Sequence, residues 1–284
     1  MYRLYLFLIL SVVLACGCTE DRPTRSNGEQ HFSLETDPQL SPDGNYIYYV
    51  SLDSFLPANS GIYRASVLTP IREKIVSGVG LSSPTLSPDN HTLVYIDSGD
   101  IRWYDLISHD TGQFSSGFSW DAIVFVDTNL LIGCRDSSIE LINIETPSAG
   151  LLGEGFEPDN ASDSTYIIAA NLDSDYRLIL RENYVSGIVD TLLKAQFPGL
   201  IPPIRSPSKH PSNDHLVFSI RNGSAYDIYS MRGDTLRVIG RSNRSGVEIA
   251  ADDLVLFTGS VGLLYRTTVT GGTPLPWVHV EDPI

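Results

Sequence analysis

Oxygen-bearing side chains at alternate positions can wrap a hard cation, and Asn171-Leu172-Asp173-Ser174-Asp175, with Glu182 eleven positions after Asn171, approaches that spacing. Tyr176 stands where such a loop needs glycine. Asn and Asp also favour hairpin turns without any metal, so the segment reads as a turn. Arg232-Gly233-Asp234 reads the same way, as a glycine-centred turn between two strands. The six histidines, His31, His91, His109, His210, His215 and His279, show no tight ligand spacing and are assigned to turns and surface. Cys134 closes the strand-like run Leu130-Leu131-Ile132-Gly133-Cys134 and reads as a small core residue. The chain contains no His-Glu-x-x-His, Gly-x-Ser-x-Gly, P-loop or Cys-x-x-Cys. No metal or cofactor is expected on these grounds.

The net charge is −15, which repels nucleic acid. Residues 205–244 run the other way, with seven bases (Arg205, Lys209, Arg221, Arg232, Arg237, Arg241, Arg244) against three acids (Asp214, Asp227, Asp234). Of these, Arg205, Lys209, Arg237, Arg241 and Arg244 are the candidate contacts for an anionic partner. Beside them, Phe197 to Pro211 is dense in proline and reads as an extended insertion that carries contacts or packs over a blade edge.

The elements that position these residues recur. Six times a short apolar strand follows a polar turn, with first apolar residues Ile47, Leu93, Leu130, Ile167, Leu216 and Leu254. The steps are 46, 37, 37, 49 and 38 residues. A period of roughly 40–45 with several strands per unit is that of a β-propeller blade. Two of the turns read Ser41-Pro42-Asp43-Gly44 and Ser87-Pro88-Asp89-Asn90, in which Pro sets φ for the first corner and Gly or Asn tolerates the left-handed one. Third-strand anchors follow at Ile62, Ile101, Ile139, Leu178, Ile228 and Leu263, the spacing of antiparallel hairpins. The expected fold is all-β, a six-bladed β-propeller of four-stranded antiparallel blades. Some strand must seal the last blade to the first, either His31 to Glu35 or Leu275 to Val280.

The sequence apolar strand, Ser-Pro-Asp-Gly, strand, then an Asp-Ile-Tyr-like strand resembles the WD-like propeller repeat of the TolB family. Leu40 to Val50 with Gly61-Ile62-Tyr63 carries it in the first copy, and Tyr226-Asp227-Ile228-Tyr229 in the fifth. The likeness spans residues 38–280 and implies six blades around a central channel. It lacks the α/β domain that precedes the propeller in that family, and no peptidase domain is expected after Ile284.

At the N-terminus Arg3 precedes the apolar run Leu4 to Ala15, too short to span a bilayer and suited to a cleaved export signal. Val13-Leu14-Ala15-Cys16 resembles the lipobox of bacterial lipoproteins, which implies acylation of Cys16, with Cys18 as the other site. The expected organisation is a signal peptide over 1–15, a disordered tether over 16–30 and the propeller over 31–284. The expected protein is a non-catalytic propeller of the bacterial envelope, at the outer membrane facing the periplasm or cell surface, held by its lipid anchor. It binds a protein or cell-wall partner and no nucleic acid. The alternative is a propeller enzyme of the lactonase or sugar-dehydrogenase kind with a metal or cofactor over the channel. On the binding reading, reversing Arg237 and Arg241 to Glu weakens capture of an anionic partner without unfolding the protein, as read by pull-down across a salt series.

Overall fold

A computed structural model of the chain describes residues 33–69, 71–114, 117–146, 148–162, 164–171, 176–196, 204–210, 213–242, 246–249, 253–258 and 264–276. Cys16 and the expected signal and tether lie outside them, as do Arg244, residues 172–175 and residues 197–203.

Twenty-four strands form six sheets, each a sequential four-stranded antiparallel meander. Blade 1 is β1 (Ser33–Leu40), β2 (Tyr46–Asp53), β3 (Gly61–Ser66) and β4 (Arg72–Ser77). Blade 2 is β5 (Leu81–Leu86), β6 (Thr92–Asp97), β7 (Asp100–Asp105) and β8 (Thr111–Phe114). Blade 3 is β9 (Ala122–Asp127), β10 (Leu130–Arg135), β11 (Ser138–Asn143) and β12 (Ser148–Glu154). Blade 4 is β13 (Phe156–Ser162), β14 (Thr165–Asn171), β15 (Tyr176–Asn183) and β16 (Val189–Gln196). Blade 5 is β17 (Ile204–Lys209), β18 (Leu216–Asn222), β19 (Ala225–Arg232) and β20 (Thr235–Ser242). Blade 6 is β21 (Val247–Ile249), β22 (Leu254–Thr258), β23 (Leu264–Thr268) and β24 (Leu275–Pro276). The first strands touch in cyclic order, and β21 meets β1, so the sheets close as a six-bladed β-propeller.

The second strands explain why the sequence shows apolar runs rather than alternation. Along β2, Ile47 and Tyr49 pack with Leu256 and Leu264 of blade 6, while Tyr48 and Val50 pack with Leu81, Leu86 and Leu93 of blade 2. Both faces of the strand are therefore buried, which an alternating strand could not satisfy. The same arrangement repeats around the ring. Each of the six apolar clusters draws its side chains from two adjacent blades, and together the clusters fill all six seams. Cys134 belongs to the seam between blades 3 and 4, where burial pushes its thiol up, consistent with a core residue.

The two Ser-Pro-Asp turns build the same network. Ser41 N–H donates to Tyr46 O at 2.8 Å and Gly44 N–H to Ser41 O at 2.8 Å, with Gly44 at φ 71. The Ser41 hydroxyl donates to Asp43 at 2.6 Å and accepts from Tyr46 N–H at 2.9 Å. In blade 2, Ser87, Asp89, Asn90 and Thr92 repeat these contacts. Arg232-Gly233-Asp234 is the turn between β19 and β20, with Gly233 at φ 52.

Two expectations need correcting. Among the described residues no strand pairs blade 6 with blade 1: β1 pairs with β2 and β24 with β23. Closure comes instead from the shared core and from Glu35, which is 0% exposed. Its carboxylate accepts from Leu264 N–H at 2.9 Å, and its carbonyl accepts from the Thr258 hydroxyl at 2.7 Å. Secondly, the proline-dense segment is not wholly an insertion, because Ile204–Lys209 is the inner strand of blade 5, with Pro207 accommodated at a bulge where no ladder donor is needed. Of the segment read as a turn, residues 172–175 lie outside the described residues; Glu182 pairs with Tyr166, five residues or about 17 Å along β15 from Arg177, which pairs with Asn171.

Leu256→Ala at the closing seam is expected to cost about 2–5 kcal/mol of unfolding free energy in urea titration. Glu35→Ala, which strands the buried Leu264 N–H, is expected to cost about 1–3 kcal/mol.

Candidate functional site

Each inner strand has one free edge toward the axis, and its backbone is irregular there. Register shifts break the pairing of β1 between Thr36 and Gln39, β5 between Ser82 and Thr85, β13 between Phe156 and Asp159, and β17 between Arg205 and Ser208. In each case a residue at positive φ precedes a proline: Asp37 (φ 52), Ser83 (φ 47), Glu157 (φ 47) and Ser206 (φ 45). Proline lacks the N–H a ladder would use, and the extra residue of a bulge turns the local side chains out of the pleat. Backbone in this region costs of order 1–3 kcal/mol per residue and persists only where the surroundings fix it. Four blades therefore carry the same strained element at the same radius.

These bulges surround one cavity of about 170 Å³, lined from all six inner strands. Asp37, Asp121, Glu157, Asp159 and Glu248 contribute carboxylates, and among the described residues no lysine or arginine lines it. Two of these acids brace the ring and a third braces its own blade. Asp37 accepts from Ser83 N–H at 3.3 Å, tying blade 1 to blade 2. Glu157 accepts from Ser206 N–H at 2.5 Å, from the Ser206 hydroxyl at 2.8 Å and from Arg205 Nη1 at 2.9 Å, tying blade 4 to blade 5. Asp121 accepts from Asp136 N–H at 3.1 Å within blade 3.

The other two acids lie on β13 and β21. Glu248, 9% exposed, accepts from Gln39 Nε2 at 3.4 Å and from the Ser208 hydroxyl at 3.3 Å. Asp159 accepts from Asn160 N–H at 2.8 Å. Burial pushes the Asp159 carboxyl up to about 6, and burial together with the Asp159 charge pushes Glu248 well above the usual carboxylate range. Side chains from blades 1, 5 and 6 thus meet at Glu248, and Asp159 of blade 4 lines the same cavity.

The sequence reading missed this site because its acids are far apart in the chain. A signal was present nonetheless: Asp37-Pro38, Ser83-Pro84, Glu157-Pro158 and Ser206-Pro207 each stand ten residues before the second-strand anchors Ile47, Leu93, Ile167 and Leu216.

The cations of 205–244 do not gather. Arg205 is drawn to Glu157 and lies over the Phe156 ring at 5.6 Å. Lys209 Nζ donates to His210 O at 3.3 Å and Asn213 O at 3.0 Å. Arg237 and Arg241 sit on β20, three strand spacings or about 14 Å outward, with Arg241 Nε 3.7 Å from Asp227. Arg244 lies outside the described residues.

Two histidines depart from their expected surface positions. His210 and His215 are buried at the seam of blades 5 and 6, and His215 Nδ1 lies 3.0 Å from Asp253 Oδ1. That hydrogen bond holds the Asp253 carboxyl below the usual range. Among the described residues, no three or more His, Cys, Asp or Glu are arranged to hold a metal ion.

The channel acids fix one pH dependence. A carboxyl raised by folding stabilises the fold below its unfolded value, near 4, and loses that contribution as pH rises through about 6. Asp159→Asn is expected to raise the melting temperature at pH 7.5 and to flatten its change between about pH 4 and 7, as measured by calorimetry.

No protein-family model matches the chain, and no curated protein matches it in sequence. Solved structures do share its shape. TolB from Acinetobacter baumannii is 20% identical, with a TM-score of 0.60 over 76% of this chain and 56% of that one, so this chain spans about half of TolB. Oligogalacturonate lyase from Vibrio parahaemolyticus is 13% identical, with a TM-score of 0.55 over 89% of this chain and 79% of that one. The β-propeller domain of the trilobed protease from Pyrococcus furiosus, described as having an open velcro topology, is 10% identical, with a TM-score of 0.55 over 89% and 100%. The expectation of a non-catalytic chain is corrected by this range. A lyase and a protease domain carry the same fold, and propellers assemble sites from residues scattered over inner strands, so missing linear motifs exclude no chemistry. In fold, the chain is a six-bladed, TolB-like β-propeller.

Proposed function

We propose that this protein is a docking propeller of the bacterial envelope, and that the mouth of its central channel receives a lysine- or arginine-bearing segment of a protein partner. One observation carries the reading: all six inner strands line a single cavity whose charged residues are carboxylates. Low-dielectric walls focus the field of such a cleft and raise the local concentration of cations. The bulges are braced between blades, so little ordering entropy is lost when a segment enters. The lipobox-like residues around Cys16 support tethering at the membrane. Arg237 and Arg241, which sit on the outer strand β20, remain candidate contacts for an anionic surface of the same partner.

Calorimetric titration of the full chain with hexalysine and with hexaglutamate tests the channel. Hexalysine is expected to bind, to weaken as salt rises, and to lose about tenfold in affinity on Asp121→Asn. Equal binding of hexaglutamate, or hexalysine binding indifferent to Asp121→Asn, overturns the reading. Selective retention on purified cell wall at low salt, with no hexalysine binding, assigns the partner to the wall instead. Independently, Cys16→Ser is expected to move the protein from the membrane to the soluble fraction, and unchanged fractionation removes the anchor.

A further inference from the structure

The last strand of each blade ends its sheet, and an unpaired edge can template a further strand. Most of the six are poor templates. β8 and β24 are four and two residues long, β24 ends in Pro276, and β12 carries Gly150 and Gly153. On β4 and β16 acids are already held, Glu73 by Arg64 at 2.5 Å and Asp190 by Arg181 at 2.7 Å. β20 is eight residues long, and its first four, Thr235, Leu236, Arg237 and Val238, are all exposed. Among the described residues no strand pairs with its outer edge.

Register with β19 assigns its side chains to faces, because residues directly opposite on neighbouring strands share one. Leu236, Val238 and Arg241 stand opposite Met231, Tyr229 and Asp227, on the face that packs toward blade 4. Arg237 stands opposite Ser230, on the face that Ile228 packs toward blade 6, and Arg232 is its diagonal neighbour there. The pairing shifts between Val238 and Gly240, and Ile239 turns into the blade 6 seam and holds the strand in place. One face of the free edge is therefore aliphatic, with Leu236 46% and Val238 59% exposed. The other carries two neighbouring cations, and among the described residues neither Arg232 nor Arg237 has an ion pair.

We propose that β20 takes up an extended acidic segment of a protein partner as a fifth strand of blade 5, with the segment's apolar side chains against Leu236 and Val238 and its carboxylates against Arg237 and Arg232. The inference rests on the docking reading only for there being a protein partner, and it is independent of the channel. Charge complementarity selects the occupant. The chain carries −15 overall, yet residues 205–244 hold seven bases against three acids. Screening over about 8 Å at physiological salt leaves an incoming strand governed by these local cations. Main-chain hydrogen bonds supply affinity in such an addition, and the alternation of side chains supplies specificity. Arg241 stands on the aliphatic face beside Asp227, so the two arginines of β20 have unequal parts.

Fluorescence anisotropy of a labelled octapeptide of alternating valine and glutamate, titrated with the full chain at neutral pH, tests the addition. The peptide is expected to bind and to weaken as salt rises, and the alternating valine and lysine peptide is expected not to bind. Arg237→Glu is expected to cost about tenfold in affinity, and Arg241→Glu less than about threefold. A strand offers its neighbour one edge, so of two peptides N-methylated on every valine or on every glutamate only one is expected to bind. Equal losses from the two arginine variants, or identical behaviour of the two methylated peptides, overturns strand addition. Absence of binding with a Kd below about 1 mM overturns it as well. Hexalysine binding is expected to be unchanged by Arg237→Glu, so failure at this edge and failure of the channel are read separately.

Discussion

Burial of both faces of the second strand in every blade is the constraint on which the rest of the protein depends. Ile47 and Tyr49 on one side of β2, and Tyr48 and Val50 on the other, each need a neighbouring sheet to remove them from water. A fully buried side chain of this size is worth about 1.5–3 kcal/mol, and an isolated blade could collect only half of that on offer. Each blade must therefore be clasped by two others, and the only finite arrangement that leaves none unclasped is a ring. Among the described residues no strand is exchanged between blades 6 and 1. The seam between blades 6 and 1 has an apolar cluster like the other five, with the buried Glu35 carboxylate holding Leu264 N–H across it.

Stability collected at the seams leaves the inner strands free to be irregular. Their axial edges pair with nothing, so a bulge and a proline cost less there than in mid-sheet. The strained positions Asp37, Ser83, Glu157 and Ser206 occupy that edge, and the blade-to-blade hydrogen bonds from Asp37 and Glu157 hold them in place. Three of the channel carboxylates, Asp37, Glu157 and Asp159, stand within these bulges. Glu248 is buried beside them and draws hydrogen bonds from blades 1 and 5.

Blade number and the identity of most strands were legible because they are local. Ile47, Leu93, Leu130, Ile167, Leu216 and Leu254 all fall in second strands, and the two Ser-Pro-Asp turns adopt matching hydrogen-bond networks that need no distant residue. Closure was not legible because, among the described residues, it is made by contacts some 220 residues apart in sequence, the Thr258 hydroxyl with the Glu35 carbonyl and the Glu35 carboxylate with Leu264 N–H. The cations of one blade are spread across it because consecutive strands carry neighbouring residues outward. Arg205 and Arg241 share a blade yet lie on its innermost and outermost strands.

The sequence by itself determined what depends on short range: the turn chemistry, the apolar runs, the period and hence the repeating four-stranded unit. Only the tertiary structure decided which polar residues meet, because a ring folds six distant segments onto one axis and their encounter leaves no trace in local order. Asp159, Ser208, Gln39 and Glu248 are unremarkable where they stand in the chain. They become a site through the geometry of closure, which brings together residues that spacing along the chain keeps apart.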